Sequence, residues 1–256
     1  MAAVIVGETY AGGYVEWPNV VPSYAAGVHT FTVQDGAPTS YGANWAVGDV
    51  IFVALTLHSP SDGSGALPAA PAGWTLHDSI DLDCGGGYRQ RVKLYSKVRA
   101  AGDAATYTFT ASSATAQDVL AGGYVLVCRG VKQAVTFAKD SRLLAISFPY
   151  YPVNNEQIIA AQYARAGDIV ATVVFPGPQN INADTNECGA TQTAYPLDLG
   201  PYVATVSGAQ YPVKIDYSGS YGGPPGPWPD LVGQVTAYWL TIPAKKGAGL
   251  FGGRLF

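Results

Sequence analysis

The sequence predicts an all-β fold: an antiparallel β-sandwich, jelly-roll-like, with long Gly/Pro-rich loops. Three observations predict it. Glycine (31) and proline (18) punctuate the whole of the 256 residues. The runs between them are rich in β-branched and aromatic residues, and several alternate with the period of two that turns one face of a strand inward. Many such short runs in series, each bounded by turn residues, describe a sandwich or barrel.

Thr30-Phe31-Thr32-Val33 alternates with period two. Asp49–Leu57 is a longer apolar run and reads as a buried strand, and Tyr124–Cys128 is a second apolar run. Arg91–Val98 alternates cleanly, with Val92, Leu94, Ser96 and Val98 facing one way, and Thr106–Thr110 alternates again. Ile169–Phe175, Val203–Val206, Val213–Tyr217 and Val235–Ile242 complete the series. The best helical candidate is the Ala-rich stretch Asn154–Ala166, which suits a short helix or a connecting turn. Gly48-Asp49, Gly102-Asp103 and Gly167-Asp168 each precede or approach a strand. Glycine takes the turn conformation and Asp bonds nearby backbone amides, so each pair is expected to end a turn and launch a strand. Ala11–Val15 echoes Ala121–Val125, a match short enough for chance in a Gly/Ala-rich chain.

Ser59–Gly73 and Ser218–Pro229 read as long loops, because proline cannot donate to a sheet ladder. Gly85-Gly86-Gly87 reads as a hairpin turn. A chain of this length forms one sandwich, so residues 1–244 are expected to make a single domain and residues 245–256 a Gly-rich apolar tail. That tail carries Leu250, Phe251, Leu255 and Phe256. Docking onto a neighbour would bury them at roughly 1.5–3 kcal/mol per large side chain; folding back on their own domain is the alternative. They are the candidate assembly residues.

Only 12% of residues are charged, against about 25% in ordinary soluble domains. A surface so poor in ions is easy to desolvate and suits permanent packing against neighbours, although a β-sandwich with a bland polar coat has the same composition. The net charge is −4, and no basic cluster exceeds Lys245-Lys246. The stripe that neutralises phosphates in nucleic-acid binders is therefore missing. Met1–Tyr10 has no basic segment followed by an apolar one, so no signal peptide is expected. No apolar run approaches the roughly 20 residues of a membrane helix, so no membrane insertion is expected. Cys84, Cys128 and Cys188 are odd in number and widely spaced, which implies neither a disulfide framework nor a zinc site. Cys128 lies in an apolar run and is expected to be a small core residue in a protein made in a reducing cytosol.

No motif carries chemistry. His29, His58 and His77 have no ligand spacing and read as partly buried or surface residues. Asp78, Asp81 and Asp83 form the densest acidic group, but the calcium-loop pattern is absent, so a solvated strand face or a turn is the better reading. Glu16, Asp81, Glu156 and Glu187 are not paired by spacing as glycosidase carboxylates would be. No nucleophile elbow, phosphate loop or dinucleotide fingerprint occurs, and neither a cofactor nor a metal is expected. Aromatic side chains are the remaining binding option, since Tyr and Trp in loops stack on sugar rings. Tyr150, Tyr151, Tyr221 and Trp228 are the candidate glycan or receptor contacts.

Pro71-Ala72-Gly73-Trp74-Thr75 is followed by Leu94–Asp103, by Tyr107-Thr108-Phe109-Thr110 and by Cys128-Arg129-Gly130-Val131. This order resembles a β-sandwich domain recurrent in tailed-bacteriophage virion proteins, among them minor tail and capsid-surface proteins. There the pattern is Pro-x-Gly-Trp-Thr, a strand and turn ending in Ala-Gly-Asp, a Tyr-Thr-Phe-Thr strand and a strand end Tyr-Arg-Gly-Val. Val6-Gly7 and Val47–Val50 also fit its start. The likeness is good over Val47–Val131 and looser to Pro243; Cys128 stands where Tyr is more frequent and Arg99 where Ala is usual. The pattern carries no catalytic residues, so none transfer. The resemblance implies a non-enzymatic structural component of a virion, a tail or fibre component or a capsid decoration protein. It would act by contacts with copies of itself and other virion proteins, after synthesis in the host cytoplasm. The alternative is a carbohydrate- or receptor-binding module at the particle surface, meeting a host glycan.

Overall fold

The computed structural model describes residues 2–12, 20–25, 28–34, 45–60, 70–85, 88–112, 121–144, 146–147, 151–152, 156–160, 162–175, 202–204, 207–209, 213–216 and 233–246. All regular structure among them is strand. In chain order the strands are β1 (Val4–Gly12), β2 (Val20–Ala25), β3 (Val28–Gln34), β4 (Val50–Pro60), β5 (Thr75–Gly85), β6 (Tyr88–Val98), β7 (Thr106–Ser112), β8 (Ala121–Arg129) and β9 (Thr136–Leu144). Then follow β10 (Ile146–Ser147), β11 (Tyr151–Pro152), β12 (Glu156–Ile159), β13 (Tyr163–Ala164), β14 (Ile169–Phe175), β15 (Tyr202–Val203), β16 (Gly208–Ala209), β17 (Val213–Asp216) and β18 (Gly233–Ile242).

Three sheets carry the architecture: β1-β8-β4-β6-β5, β2-β3-β7 and β15-β14-β18-β9, all antiparallel. The five-stranded sheet is buried on both faces. Ile51, Val53, Leu55, Tyr95, Val125 and Val127 on one face share a core with Val33, Tyr107 and Phe109 of the β2-β3-β7 sheet. Val50, Phe52, Leu94, Leu126 and Cys128 on the other face share a core with Ile169, Val173, Tyr238 and Leu240. The unbroken apolar run of β4 follows from this, because a strand covered on both faces has no polar side to alternate with. Cys128 is fully buried, as its sequence context implies.

Two expectations are corrected. The described residues of Asn154–Ala166 form no helix. Glu156–Ile159 and Tyr163–Ala164 are strands, paired with Val213–Asp216 and Gly208–Ala209. Alanine's helix preference is worth only tenths of a kcal/mol per residue, and a ladder of hydrogen bonds overrides it. Ser59 and Pro60 belong to β4, opposite Arg89 and Tyr88, rather than to a loop. Pro60 is the strand's last residue, where its missing N–H interrupts no ladder. Residues 61–69 and the loop Ser218–Pro229 lie outside the described residues.

The Gly-Asp pairs do launch strands, and they do so by one geometry. In Ala46–Asp49, Ala100–Asp103 and Arg165–Asp168, the third residue is a glycine at φ +91°, +86° and +92°. The Asp N–H donates to the first residue's carbonyl at 3.1, 3.3 and 2.9 Å. The Asp Oδ2 accepts the first residue's N–H at 2.7, 2.8 and 2.8 Å. A positive φ at the third position is what a type II turn demands of glycine.

Candidate functional site

Segments far apart in sequence converge at one corner of the first half. Trp74 follows the Gly73 turn and presents its indole edge-on to Tyr107 and Phe109, with ring centroids 5.4 and 5.0 Å away. Lys97 pairs with Asp103 at 3.0 Å and lies over the Tyr107 ring, 5.5 Å from its centroid. The Tyr107 hydroxyl donates to Asp103 Oδ2 at 3.1 Å. Burial, aided by that carboxylate, pushes the Tyr107 phenol up to about 12. Thus Trp74, Lys97, Asp103, Tyr107 and Phe109 form one knot of aromatic packing and a shielded ion pair. Arg129 closes a second fastener: its Nε and Nη2 reach Asp49 Oδ1 and Oδ2 at 2.7 and 2.8 Å. Such two-point pairing fixes orientation as well as charge.

A Ser–His contact invites a catalytic reading and does not support one. His77 is the extra residue of a bulge in β5, where Leu76 opposes Tyr95 and Asp78 opposes Leu94. The bulge aims its Nε2 at Ser96 Oγ, 2.6 Å away, and its ring toward Phe52. Ser96 is fully buried, so no substrate carbonyl can approach its hydroxyl. Burial also holds the imidazole below its ordinary pKa. Gln133 caps the arrangement, donating to Thr75 Oγ1 at 3.1 Å and to the Ser96 carbonyl at 3.2 Å.

The acidic group is split by its strand. Asp81 pairs with Arg89 at 2.8 Å and lies 3.5 Å from Arg91 on a half-exposed face, in keeping with a solvated strand face. Asp78 instead meets Lys139 at 2.7 Å and accepts the Tyr238 hydroxyl at 3.0 Å. The side chains of Asp83, His29 and His58 lie outside the described residues.

One surface feature was not anticipated from the sequence. Val4, Val47 and Val98 are 49%, 67% and 36% exposed, and all lie at one end of the five-stranded sheet, Val4 on the face of Arg129 and Val98 on the face of Val50. Gly48 N–H donates to the Arg99 carbonyl at 2.8 Å, which sets the turn that carries Val47 against the end of β6, just past Val98. Val4 opposes Arg129, which holds Asp49. Ala46, Ala100 and Ala101 are exposed beside them. An apolar residue inside a Gly-Asp turn, Val47, was the available sequence signal.

The candidate residues Tyr150, Tyr221, Trp228, Leu250, Phe251, Leu255 and Phe256 lie outside the described residues, as does the side chain of Tyr151. No family model, curated protein or solved structure matches the chain.

Proposed function

We propose that this protein is a non-enzymatic structural component of a tailed-bacteriophage virion, a tail or fibre component or a capsid decoration protein. It acts through contacts with copies of itself and other virion proteins. The observation that carries this reading is the exposure of Val4, Val47 and Val98 at the end of the central sheet where Arg99 and Arg129 also lie. Exposed apolar side chains beside arginine suit a contact surface. The segments that suggest the virion family support it from the inside. Trp74, Lys97, Asp103, Tyr107 and Arg129 are all engaged in holding the fold. The finer architecture we propose is a jelly-roll-like β-sandwich, in which β2-β3-β7 covers one face of the five-stranded sheet.

Imaging of assembled particles tests the proposal: density for this sheet arrangement is expected on the virion surface. A purified chain that stays monomeric and has no affinity for particles would overturn it. Val47→Lys narrows the test to the named surface. It should abolish attachment while leaving the melting temperature within a degree or two, because a charge at an exposed turn costs the fold little.

A further inference from the structure

The two halves of the chain share a four-strand order, to which β5 adds an edge in the first half. In the first half the order is β1-β8-β4-β6 and in the second β9-β18-β14-β15. In each, the first strand pairs with the last and the last with the strand launched by a Gly-Asp turn; that strand pairs with β6 in the first half, where β5 intervenes in sequence and adds an edge, and with the next strand, β15, in the second. The turns match in detail. Gly48 N–H donates to the Arg99 carbonyl and Arg99 N–H to the Asp49 carbonyl, both at 2.8 Å. Gly167 and Ala204 N–H donate to the carbonyls of Ala204 and Asp168, also at 2.8 Å. Asp49 therefore corresponds to Asp168 and Arg99 to Ala204.

Strand registers extend the correspondence. Val50 opposes Cys128 and Ile169 opposes Ile242, so Cys128 corresponds to Ile242. Counting back, Leu126 corresponds to Leu240 and Tyr124 to Tyr238, identical residues in both pairs. The β3-β7 ladder has its counterpart in β12-β17 and β13-β16, whose pairings share one register from Glu156↔Asp216 to Ala164↔Gly208.

The halves meet through the same face of these strands. Val50, Phe52 and Ala54 share one core with their counterparts Ile169, Ala171 and Val173, and Tyr124, Leu126 and Cys128 with Tyr238, Leu240 and Ile242. A sheet can present one face to the same face of its copy only after a half-turn about an axis lying between them. That is the relation of an isologous dimer interface. The strand exits also pair with each other. Val131 pairs antiparallel with Ala244, Lys132 N–H donates to the Pro243 carbonyl at 2.8 Å and Lys245 N–H to the Gly130 carbonyl at 2.7 Å. By the same count Gly130 corresponds to Ala244 and Val131 to Lys245. The pairing is two-fold about Val131 and Ala244 themselves, since its two bonds exchange when Lys132 is set against Lys245 and Gly130 against Pro243, one residue out of step with the strand count.

We infer that the chain is a tandem structural repeat folded as a covalent pseudo-dimer, and that the face containing Leu126 and Leu240 is a homotypic interface whose partner is a second module of the same kind, supplied in cis. A closed two-fold contact uses that face up. Contacts with other chains must then use other surfaces, such as the valine end. The inference stands independently of the virion reading.

The test cuts the full chain. A protease site inserted after Ala134, in the connection between the halves, is cleaved in the folded protein. Sizing with light scattering should still show one particle of 26.7 kDa. Two folded species of about half that mass would overturn the inference. Hydrogen exchange on the uncut, unmodified chain provides a second measure. The Lys132 and Lys245 amides should both be protected, each at least a hundredfold relative to an open amide. Exchange of either at the open rate would overturn the two-fold pairing.

Discussion

Asp49 and Asp168 occupy corresponding places in the two halves and end the same turn, yet different donors satisfy them. Asp49 takes two bonds from the Arg129 side chain. Asp168 Oδ1 takes the backbone N–H of Ala244, at 2.8 Å, from just beyond the corresponding strand. Both aspartates are buried. A buried carboxylate needs donors, and the comparison shows that their identity can change while the turn, the strand and the sheet order stay. The carboxylate is therefore scaffold in both halves, and Arg129 is one solution among others.

The sharpest way to break this comparison is to remove the side-chain solution. Arg129→Met should cost on the order of 3 kcal/mol, because the Asp49 side chain is 1% exposed and would be left charged with only the Ala46 N–H. Its guanidinium is 37% exposed, so the reverse change, Asp49→Ala, should cost less: the freed arginine can turn to water. Urea unfolding of the two variants measures the difference. Equal costs would mean that the pair is held by something other than the buried charge.

Asp168→Ala is expected next, at about 2 kcal/mol. It strands the part-buried N–H groups of Arg165 and Ala244, and an unsatisfied buried donor costs at most roughly 1–3 kcal/mol. No charged partner is left behind, which is why the effect falls below that of Arg129→Met. The same unfolding measurement places the two halves on one scale.

Much of this skeleton was legible in the sequence. β4, β6, β7, β8, β14 and β18 announced themselves by apolar runs or alternation, and the Gly-Asp pairs by chemistry that needs no tertiary context. β9 did not: Lys139, Asp140 and Arg142 give it the charged look of an exposed edge, and edge strands use charge to resist pairing. The Asn154–Ala166 stretch misled because its composition is helical while its partner, Val213–Asp216, lies far along the chain. The repeat was half visible in Gly48-Asp49 and Gly167-Asp168. Loops of unequal length hid the rest, since corresponding strands fall at different sequence offsets and only Tyr-x-Leu survives as identity in β8 and β18. The Ala11–Val15 echo pointed elsewhere: Ala11 and Gly12 pair with Gly123 and Gly122 across neighbouring strands. The valine end was signalled only by Val47, an apolar residue inside a Gly-Asp turn, because exposure at Val4 and Val98 is decided by strand pairing.

The glycines of the two turns sharpen the correspondence. A methyl group on Gly48 or Gly167 would meet nothing within 4 Å, so only the backbone opposes it. At φ +91° and +92° an alanine should cost about 1–2 kcal/mol in each half. Gly48→Ala and Gly167→Ala are thus expected to lower stability by matching amounts, read from paired denaturant melts. A large disparity would show that the turns share a shape without sharing a role.

The third turn gives the smallest effect and separates geometry from charge. Asp103 repeats the bond to the first residue of its turn, but only the knot of Lys97 and Tyr107 shields it. The Ala100 N–H, then Lys97 and Tyr107, hold its carboxyl below the ordinary carboxylate range. The folded protein therefore binds this proton less readily than the unfolded chain. The stabilisation is fully present above the unfolded value of about 3.9 and is lost as pH falls through the lower folded value. Asp103→Asn keeps an oxygen for the Ala100 N–H and removes the charge. Wild type and variant should differ in urea midpoint at pH 7 and converge as the pH is taken down through the lowered folded value. A gap that persisted undiminished in acid would mean that the charge contributes nothing, and that shape alone makes the Gly-Asp turn recur.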